Sequence, residues 1–383
     1  MGLTMLHDGK EYANWTSISV EASSTKATRG FTATVIEVSP DGLDAPFWMS
    51  PGDEVAIYAD GHLLVRGYIN EYRPTFDANS HSVTISGRGK SQDAVDCSAR
   101  HATGRFENMT VGQIANELAG IVGITVEVPE DTQRITKFQV NQGETICGAI
   151  NRLSKSYGLN LQGLPDGNMK LSKGTDGDRL SGALVQGQWP FLAGSATISD
   201  AQKFSDYEVK SQLAGAEGRY GTQAAQEVGR AVDRTVKRYR PHVAVSEIAS
   251  PTQTAAERAS WQARRIAGKS VKADVTVQGF HLDGQLWAPD RLVYVQSAML
   301  KMDHEMLIES VKYTQDDNGS RCDLKLVPPK ASKSTGGKKR RGGAGSSSGS
   351  GSEAYDGVEP ENGVNPPSQL GEWGAWKWPV GPQ

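Results

Sequence analysis

The sequence predicts a β-rich α+β protein with two small antiparallel β-barrel-like domains, a small α+β domain and further α/β elements. Three observations predict this class. Apolar and polar residues alternate at period two within 1–95 and again within 271–329, which is typical of half-buried strands. Pro-Gly, Asp-Gly and Asn-Gly pairs separate these runs as turns do. Two amphipathic helical stretches lie between the extended regions.

The first β-barrel-like domain is predicted over residues 1–95. The segment PGDEVAIYADGHLLVRGYINEY, residues 51–72, has the pattern of a strand, a tight turn at Asp60-Gly61 and a second strand. Val83 and Ile85 are expected to share one face of a later strand. Several short strands joined by tight turns suit a small barrel or sandwich.

Residues 96–175 are predicted to form the small α+β domain. Thr110 and Gln113 have the spacing of a capping box, and Gly123 is expected to end the helix that they begin. A second helix is expected after Gly143-Glu144-Thr145. The apolar positions that recur at helical spacing are Val111, Ile114, Leu118 and Ile121 in the first helix and Ile146, Ile150, Leu153 and Tyr157 in the second.

The second β-barrel-like domain is predicted over residues 176–331, with a helical segment at about 250–268. Ser250 and Pro251 are good residues for the start of that helix, and Trp261 is expected to pack against a sheet. Asn318-Gly319 predicts a type I′ hairpin turn between two of the last strands.

Residues 332–383 are predicted to be a flexible low-complexity tail, because Ser, Gly and basic residues dominate its first part. The basic run from Lys338 to Arg341 is either a solvated stretch or an electrostatic contact with DNA or an acidic surface. Trp373, Trp376 and Trp378 are candidate partner-binding residues, since a short docking motif would explain three indoles in such a tail.

The sequence motifs typical of metal binding, disulfide frameworks and phosphate binding are each incomplete in this chain. The chain has a net charge of −3, and its three cysteines are too far apart to predict a zinc site or a disulfide framework. The Gly87-to-Ser91 segment resembles the end of a phosphate-binding loop, but Thr84 stands where that motif needs glycine. We therefore predict no catalytic residue, no cofactor and no metal, although sequence alone does not exclude paired carboxylates in a hydrolase.

No secretory signal and no apolar run of 18 residues is visible, so we expect a soluble protein made in the cytoplasm, without stable membrane association. The segment FQVNQGETICGAINRLSKSYGLNL, residues 138–161, resembles the start of a LysM-type glycan-binding module. The ordinary interpretation is a helix that begins after a turn. The alternative is a protein that binds or hydrolyses peptidoglycan.

Blocks spread through the chain resemble the baseplate hub proteins of Mu-like contractile-tailed bacteriophages. They are SPGDEVAIYADGHLLVRGYINEY, SGRGKSQDAVDCSA, FSDYEVKSQ, VDRTVKRYRPHVAVSE, ERASWQARRIAG, GQLWAPDRLVYVQ and LIESVKYTQDDNGSRCDLKLVPPKA. Their order and spacing agree over about residues 1–331.

That resemblance implies a homotrimeric ring similar to the hub of T-even phages and to the base of type VI secretion spikes. The ring would join the hexameric tail tube to the trimeric membrane-piercing spike, contact other baseplate proteins and let DNA pass without sequence-specific binding. The implied location is the virion, in the tail baseplate, after synthesis and assembly in the host cytoplasm. The implied role is structural and not enzymatic, and the alternative is a tail-tip protein that binds peptidoglycan or hydrolyses the cell wall. The tail beyond Lys330 lies outside the resemblance.

Overall fold

A computed structural model describes residues 2–36, 49–77, 81–128, 134–156, 159–172, 178–211, 227–246 and 270–329, with six further residues between 259 and 268. Those six residues are helical, as predicted for that segment. Ser250, Pro251, Trp261 and the whole tail from 332 to 383 lie outside the described residues. None of the described helices is long and apolar enough to cross a membrane.

The first β-rich region contains seven strands, which we call the first module. They are β1 Leu3–His7, β2 Lys10–Tyr12, β3 Ser17–Ser23, β4 Gly30–Ile36, β5 Glu54–Ala59, β6 His62–Phe76 and β7 His81–Gly89. Asp60 and Gly61, with φ values of 47° and 83°, form the two-residue loop between β5 and β6. Positive φ at both central residues defines a type I′ turn, which confirms this predicted hairpin.

Residues 92–172 form a mixed region with its own hydrophobic core. Its elements are α1 Gln92–Asp96, β8 Arg105–Thr110, α2 Val111–Gly120, β9 Val126–Glu127, β10 Arg134–Gln139, α3 Ile146–Ser156, β11 Asn160–Gly163 and β12 Met169–Ser172. The capping box is present, because Thr110 accepts from the Gln113 amide and the Gln113 side chain accepts from the Thr110 amide. Tyr157 and Gly158, predicted at the end of α3, lie outside the described residues.

The C-terminal half adds β13 Arg179–Val185, β14 Phe191–Ile198, β15 Asp206–Ser211, β16 Glu227–Val232, β17 Pro241–Ser246, β18 Val271–Gln278, β19 His281–Leu282, β20 Gln285–Leu286, β21 Leu292–Ser297, β22 Met302–Asp316 and β23 Gly319–Val327. The second module comprises β13, β14 and β18 to β23. Strands β15 to β17 form a separate small sheet in the order β16-β15-β17. Its core includes Tyr207, Val209 and the helical residues Ala259 and Ala263.

The hairpin between β22 and β23 differs from its prediction. Gly319 has a positive φ of 95°, whereas Asn318 is not among the residues with positive φ. A type I′ turn needs positive φ at both central residues, so this hairpin is not of that type. Instead, the Asp316 carboxylate accepts a hydrogen bond from the Asn318 amide at 2.9 Å, and this bond stabilises the loop.

The two modules share one sheet, which corrects the prediction of two separate barrel-like domains. Thirteen strands are joined, with the main path β14-β18-β23-β22-β3-β4-β7-β6-β5-β1-β2, while β21 pairs with β22 and β13 pairs with β21. The junction is the antiparallel pairing of β22 with β3, from Ser310 opposite Ser23 to Asp316 opposite Ser17. Among the described residues this sheet does not close on itself.

The second module repeats the strand order of the first. The order β14-β18-β23-β22-β21 corresponds to β3-β4-β7-β6-β5, and in both series each strand is antiparallel to the next. Strands β6 and β22 are each 15 residues long. Each also has a register shift at the same place, between Ile69 and Glu71 in β6 and between Ile308 and Ser310 in β22. The sequence predicts two β-barrel-like regions, but their common strand order was not predicted.

One continuous hydrophobic core lies beneath both modules. It includes Val20 and Ile85 from the first module and Val275, Val293 and Tyr313 from the second. The buried apolar side chains of the two modules therefore belong to one connected cluster. On β21, Leu292 and Tyr294 are only half-buried, whereas the alternate residues Val293 and Val295 are fully buried and face the core.

Arg29 attaches the mixed region to the first module. Its side chain is half-buried, and the guanidinium donates to the main-chain oxygens of Leu64, at 2.7 Å, and Gly163, at 3.1 Å. Burial is the main cause that lowers the pKa of Arg29 below its usual value. Gly163 passes so close to the first module that a Cβ atom there would lie 2.7 Å from the Ala27 oxygen. Residues 160–163 are thus fixed against the edge of the first module.

Candidate assembly surfaces

A polar surface extends across eight antiparallel strands, from β14 through the junction to β6. Side chains alternate between the two faces of each strand, so the residues opposite the core face solvent together. We call this surface the polar face. Its members include Thr276, Asp323, Lys312, Glu21, Thr32, Ser86 and Arg88, all exposed or half-buried.

Charges of opposite sign are neighbours along the polar face. The strand registers place Asp323 opposite Lys312, and Lys312 opposite Glu21. The same row continues through Gly30 to Arg88 on β7. Opposite charges across neighbouring strands attract, and their fields cancel at a distance. The polar face therefore has no strong charge of one sign along this row.

Two shallow depressions lie on the polar face. One, of about 510 Å³, is lined by residues of both modules, including Glu21, Asp274, Lys312 and Asp323. The other, of about 430 Å³, includes Glu21, Asn70, Arg88 and Lys312. Apolar enclosure, which small-molecule sites need, is lacking in both, because charged and hydroxyl side chains dominate their linings. Nowhere in the described part of the chain do three His, Cys, Asp or Glu side chains come together as metal ligands.

Two long strand edges are free of a partner strand within the described residues. One is the outer edge of β14, which pairs with β18 alone. The other is the second half of β6, because β5 pairs only with its residues 62–68 while β7 covers the opposite edge to Phe76. A free edge presents unpaired N–H and C=O groups, and is a template for pairing with another chain.

Exposed apolar side chains accompany both free edges. Phe76, the last residue of β6, is 80% exposed. On β14, Leu192 is 55% and Ile198 57% exposed, and Trp189 just before the strand is 74% exposed. Met299 is 82% exposed, and its amide contacts the Gln186 side chain near the start of β14. Clusters of exposed apolar residues often mark protein–protein contacts.

The two segments that resemble a phosphate-binding loop and a glycan-binding module have structural roles. Gly87 to Gly89 lie in strand β7, so no phosphate-binding loop forms there. Glu144 accepts from Arg152 at 2.8 and 2.7 Å, and the hydrogen bond from Arg152 is the main cause that lowers the Glu144 pKa. Thr145 accepts from the Gly148 amide at 3.1 Å. In this way the Gly-Glu-Thr segment caps α3 and holds its first turns.

Burial keeps the two buried thiols, Cys147 and Cys322, in their protonated form. Burial raises the pKa of Cys147 to about 11 and raises that of Cys322 well above its usual value. A thiol must lose its proton to act as a nucleophile, so neither side chain is activated.

The candidate partner residues Trp373, Trp376 and Trp378 lie outside the described residues, and their predicted role stays a prediction. Free strand edges, which the structure identifies, have no local signal in the sequence.

Comparison with known proteins places this architecture among phage tail proteins. Three family models match successive parts of the chain. "Mu phage baseplate assembly protein GpP-like, N-terminal" matches residues 2–89, "Baseplate hub protein gp44-like, second domain" matches residues 91–173, and "Mu phage baseplate assembly protein GpP, fourth domain" matches residues 251–334. These matches and the fold define a structural protein of the phage tail baseplate.

Relatives of full length support the same class. The chain is 28% identical to the baseplate hub protein gp44 of Escherichia phage Mu over 337 residues, covering 85% of this chain and 87% of gp44. The crystal structure of the prophage MuSo2 43 kDa tail protein from Shewanella oneidensis matches with a TM-score of 0.77 and 28% identity, over 87% of this chain and 99% of that one. A tail protein from Neisseria meningitidis MC58 shares the fold, with a TM-score of 0.70 and 19% identity over 87% of this chain and 98% of that one.

The chain is a homologue of the baseplate hub protein gp44 of phage Mu. The resemblance found in the sequence blocks is thereby confirmed. An identity of 28% shows that this chain is a relative of the Mu protein with a different sequence.

Proposed function

We propose that this chain is the structural hub of a contractile-tail baseplate, a homotrimeric ring between the hexameric tail tube and the trimeric spike. One observation carries the proposal: each copy contains two modules with the same strand order in one sheet. Three such copies present six similar modules, and a ring of six could meet a hexameric tube on one side and a trimeric spike on the other.

The polar face suits the lumen of such a ring. Its rows of alternating charge and hydroxyl groups offer no continuous basic stripe of the kind that grips DNA phosphates. DNA would therefore pass along this wall without being held through its phosphates. The proposed role requires no catalysis, and the relatives that support it are baseplate proteins.

The mass of the purified full chain in solution tests the trimer. Light scattering or sedimentation should give three times the 41.1 kDa of one chain. A monomer at micromolar concentration would overturn the proposed ring. The glycan-binding alternative is tested separately by pull-down on purified peptidoglycan and by a cell-wall turbidity assay, and we expect neither binding nor clearing because Glu144 and Thr145 are engaged in capping α3.

For the tail we propose that Trp373, Trp376 and Trp378 form a docking motif for another baseplate protein. Exposed indoles bury a large apolar area at small entropic cost when they meet a partner. A chain lacking residues 332–383 should keep its trimeric mass, because the proposed ring is built from the sheet. It should lose binding to its partner among the tube, spike and other baseplate proteins, and retained binding to all of them would reduce the tail to a tether.

A further inference from the structure

We propose that the free edge of β6 in one copy pairs with the free edge of β14 in the next copy, antiparallel, in the way that β22 pairs with β3 within one copy. The inference rests on the proposed trimer and specifies the strands that close it. The partner at each free edge is a second copy of this chain. Both edges belong to the same chain and lie at the two ends of one series of antiparallel strands.

Strand polarity permits this pairing. Successive strands from β14 to β6 are all antiparallel, so β14 and β6 run in opposite directions. Joining them between copies continues the alternation without a break. Each copy donates one edge and accepts the other, and such head-to-tail contacts form a closed ring when the rotation matches.

The other free edges of this sheet fit less well among the described residues. Strand β13 is parallel to β21, and therefore runs in the same direction as β14. It could meet β14 only in a parallel ladder. Strand β2 also runs in the direction of β14 and contains three residues. The second half of β6 is the edge that combines useful length with antiparallel direction.

The internal repeat supplies the expected register. Ser310 faces Lys325 after the bulge in β22, as Glu71 faces Ser86 after the bulge in β6. From each of these two points, the strand registers can be followed across the sheet, from β22 to β14 and from β6 to β3. By this count, Ala196 of β14 corresponds to Val20 of β3. The pairing of β22 with β3 within one copy serves as the template for the pairing between copies. In this template, Val20 lies opposite Tyr313.

Carried over to two copies, the template gives four facing pairs besides Pro74 and Ala196. They are Tyr72 with Ile198, Arg73 with Thr197, Thr75 with Ser195, and Phe76 with Gly194. Pro74 has no N–H to donate, and proline is tolerated on a sheet edge. The inter-copy ladder therefore lacks at most one hydrogen bond at that position.

Side-chain size supports the same register. Phe76 is 80% exposed in one copy, and the template places it opposite Gly194. A Cβ atom at Gly194 would lie 2.8 Å from the Phe191 ring and 3.2 Å from Leu300 Cδ1, so apolar groups surround a position that has no side chain. The Phe76 ring would cover that position. Ile198, 57% exposed, would likewise lose its exposure against Tyr72.

Disulfide trapping in the full chain tests the register. In a Cys97→Ser background, which removes the exposed native thiol, Thr75→Cys is combined with Ser195→Cys. The second pair is Tyr72→Cys with Ile198→Cys, which occupies the alternate kind of antiparallel site and so covers both geometries. After mild oxidation, we expect covalent dimers and closed trimers on a non-reducing denaturing gel from at least one pair.

The matched control combines Thr75→Cys with Ser199→Cys. It shifts the partner by four residues, roughly 13 Å along the strand, beyond the reach of a disulfide. We expect only monomers from this control and from every single variant on the same gel. Cross-linking of Ser195→Cys alone would show β14 paired with β14 and would overturn the proposal.

Mass in solution separates the two levels of failure. A trimeric mass without cross-linking in either pair would overturn the edge pairing and leave the proposed hub standing. A monomeric mass would overturn the proposed ring and the pairing together. A trimeric mass with cross-linking confined to the two predicted pairs supports both.

Discussion

The main-chain oxygen of Glu309 accepts two hydrogen bonds from Ser24, one from its amide at 2.9 Å and one from its hydroxyl at 3.2 Å. Ser24 follows β3, Glu309 is the bulge residue of β22, and Ser24 is 4% exposed. This buried contact closes the junction between the two modules. The bulge thus has a defined role, because the register shift turns its carbonyl oxygen toward the neighbouring strand.

Removing the hydroxyl groups at this junction is expected to weaken the whole fold. The Ser23 hydroxyl also donates to Glu309, at 3.3 Å, and accepts from the Thr25 amide, at 3.3 Å, so the double variant Ser23→Ala with Ser24→Ala removes three hydrogen bonds. A net loss of about 2–3 kcal/mol in the free energy of unfolding follows, at about 1 kcal/mol for each bond. Urea denaturation measures it. Ser19→Ala, on the polar face, is the control and should stay within about 0.5 kcal/mol; an equal loss in both would contradict the prediction.

Arg29 is expected to control the attachment of the mixed region. Arg29→Ala leaves the oxygens of Leu64 and Gly163 without their donor and opens a cavity where the guanidinium lay. We expect a loss of about 2 kcal/mol or more in the free energy of unfolding, since each unsatisfied buried acceptor costs about 1–3 kcal/mol. Limited proteolysis should also cut faster between residues 90 and 104.

The control for Arg29 is Arg238→Ala. Its side chain is 67% exposed and its ion pair with Asp200 lies on the surface. Surface pairs contribute little, so the unfolding free energy and the cleavage rate should remain close to those of the parent chain. Faster cleavage without any change in global stability would show that Arg29 only anchors the mixed region locally.

The hairpin at Asp316 predicts a specific dependence on pH. The Asn318 amide and, next, the Arg321 guanidinium lower the pKa of Asp316. A depressed pKa stabilises the folded state above the unfolded pKa, about 3.9, and this contribution is lost as the pH falls through the folded value. The stability difference between the parent chain and Asp316→Asn should therefore shrink as urea denaturation is repeated from about pH 6 down to about pH 3. A constant difference would contradict the role of the charge.

Local patterns predicted the elements better than their assembly. The capping box of α2, the Asp60-Gly61 hairpin and the buried face of Val83 and Ile85 are as expected, because each depends on neighbours within a few residues. The β22–β3 junction pairs residues almost 300 positions apart, and no local period encodes it. Two separate domains were predicted for that reason.

The same distinction between local patterns and long-range assembly applies to the candidate surfaces. The absence of a motif for catalysis could be noted from the sequence, but the free edges of β6 and β14 depend on which strands fail to pair in the fold. Ile198 is apolar in a strand, and the sequence would place it in a core. The structure leaves it 57% exposed beside a free edge. In the proposed trimer, Tyr72 of the neighbouring copy would cover this residue.

Ile198→Lys is expected to weaken assembly without weakening the protomer. A lysine at the proposed contact with Tyr72 would have to be desolvated in the trimer, whereas in a free protomer it reaches water, as the exposed Ile198 does. Light scattering across a dilution series should show dissociation at a concentration at least about tenfold higher, which corresponds to about 1.4 kcal/mol. The matched control is Val243→Lys on β17, because Val243 is 54% exposed and lies in the separate sheet. Equal dissociation of both variants would assign the effect to added charge and would remove Ile198 from the interface.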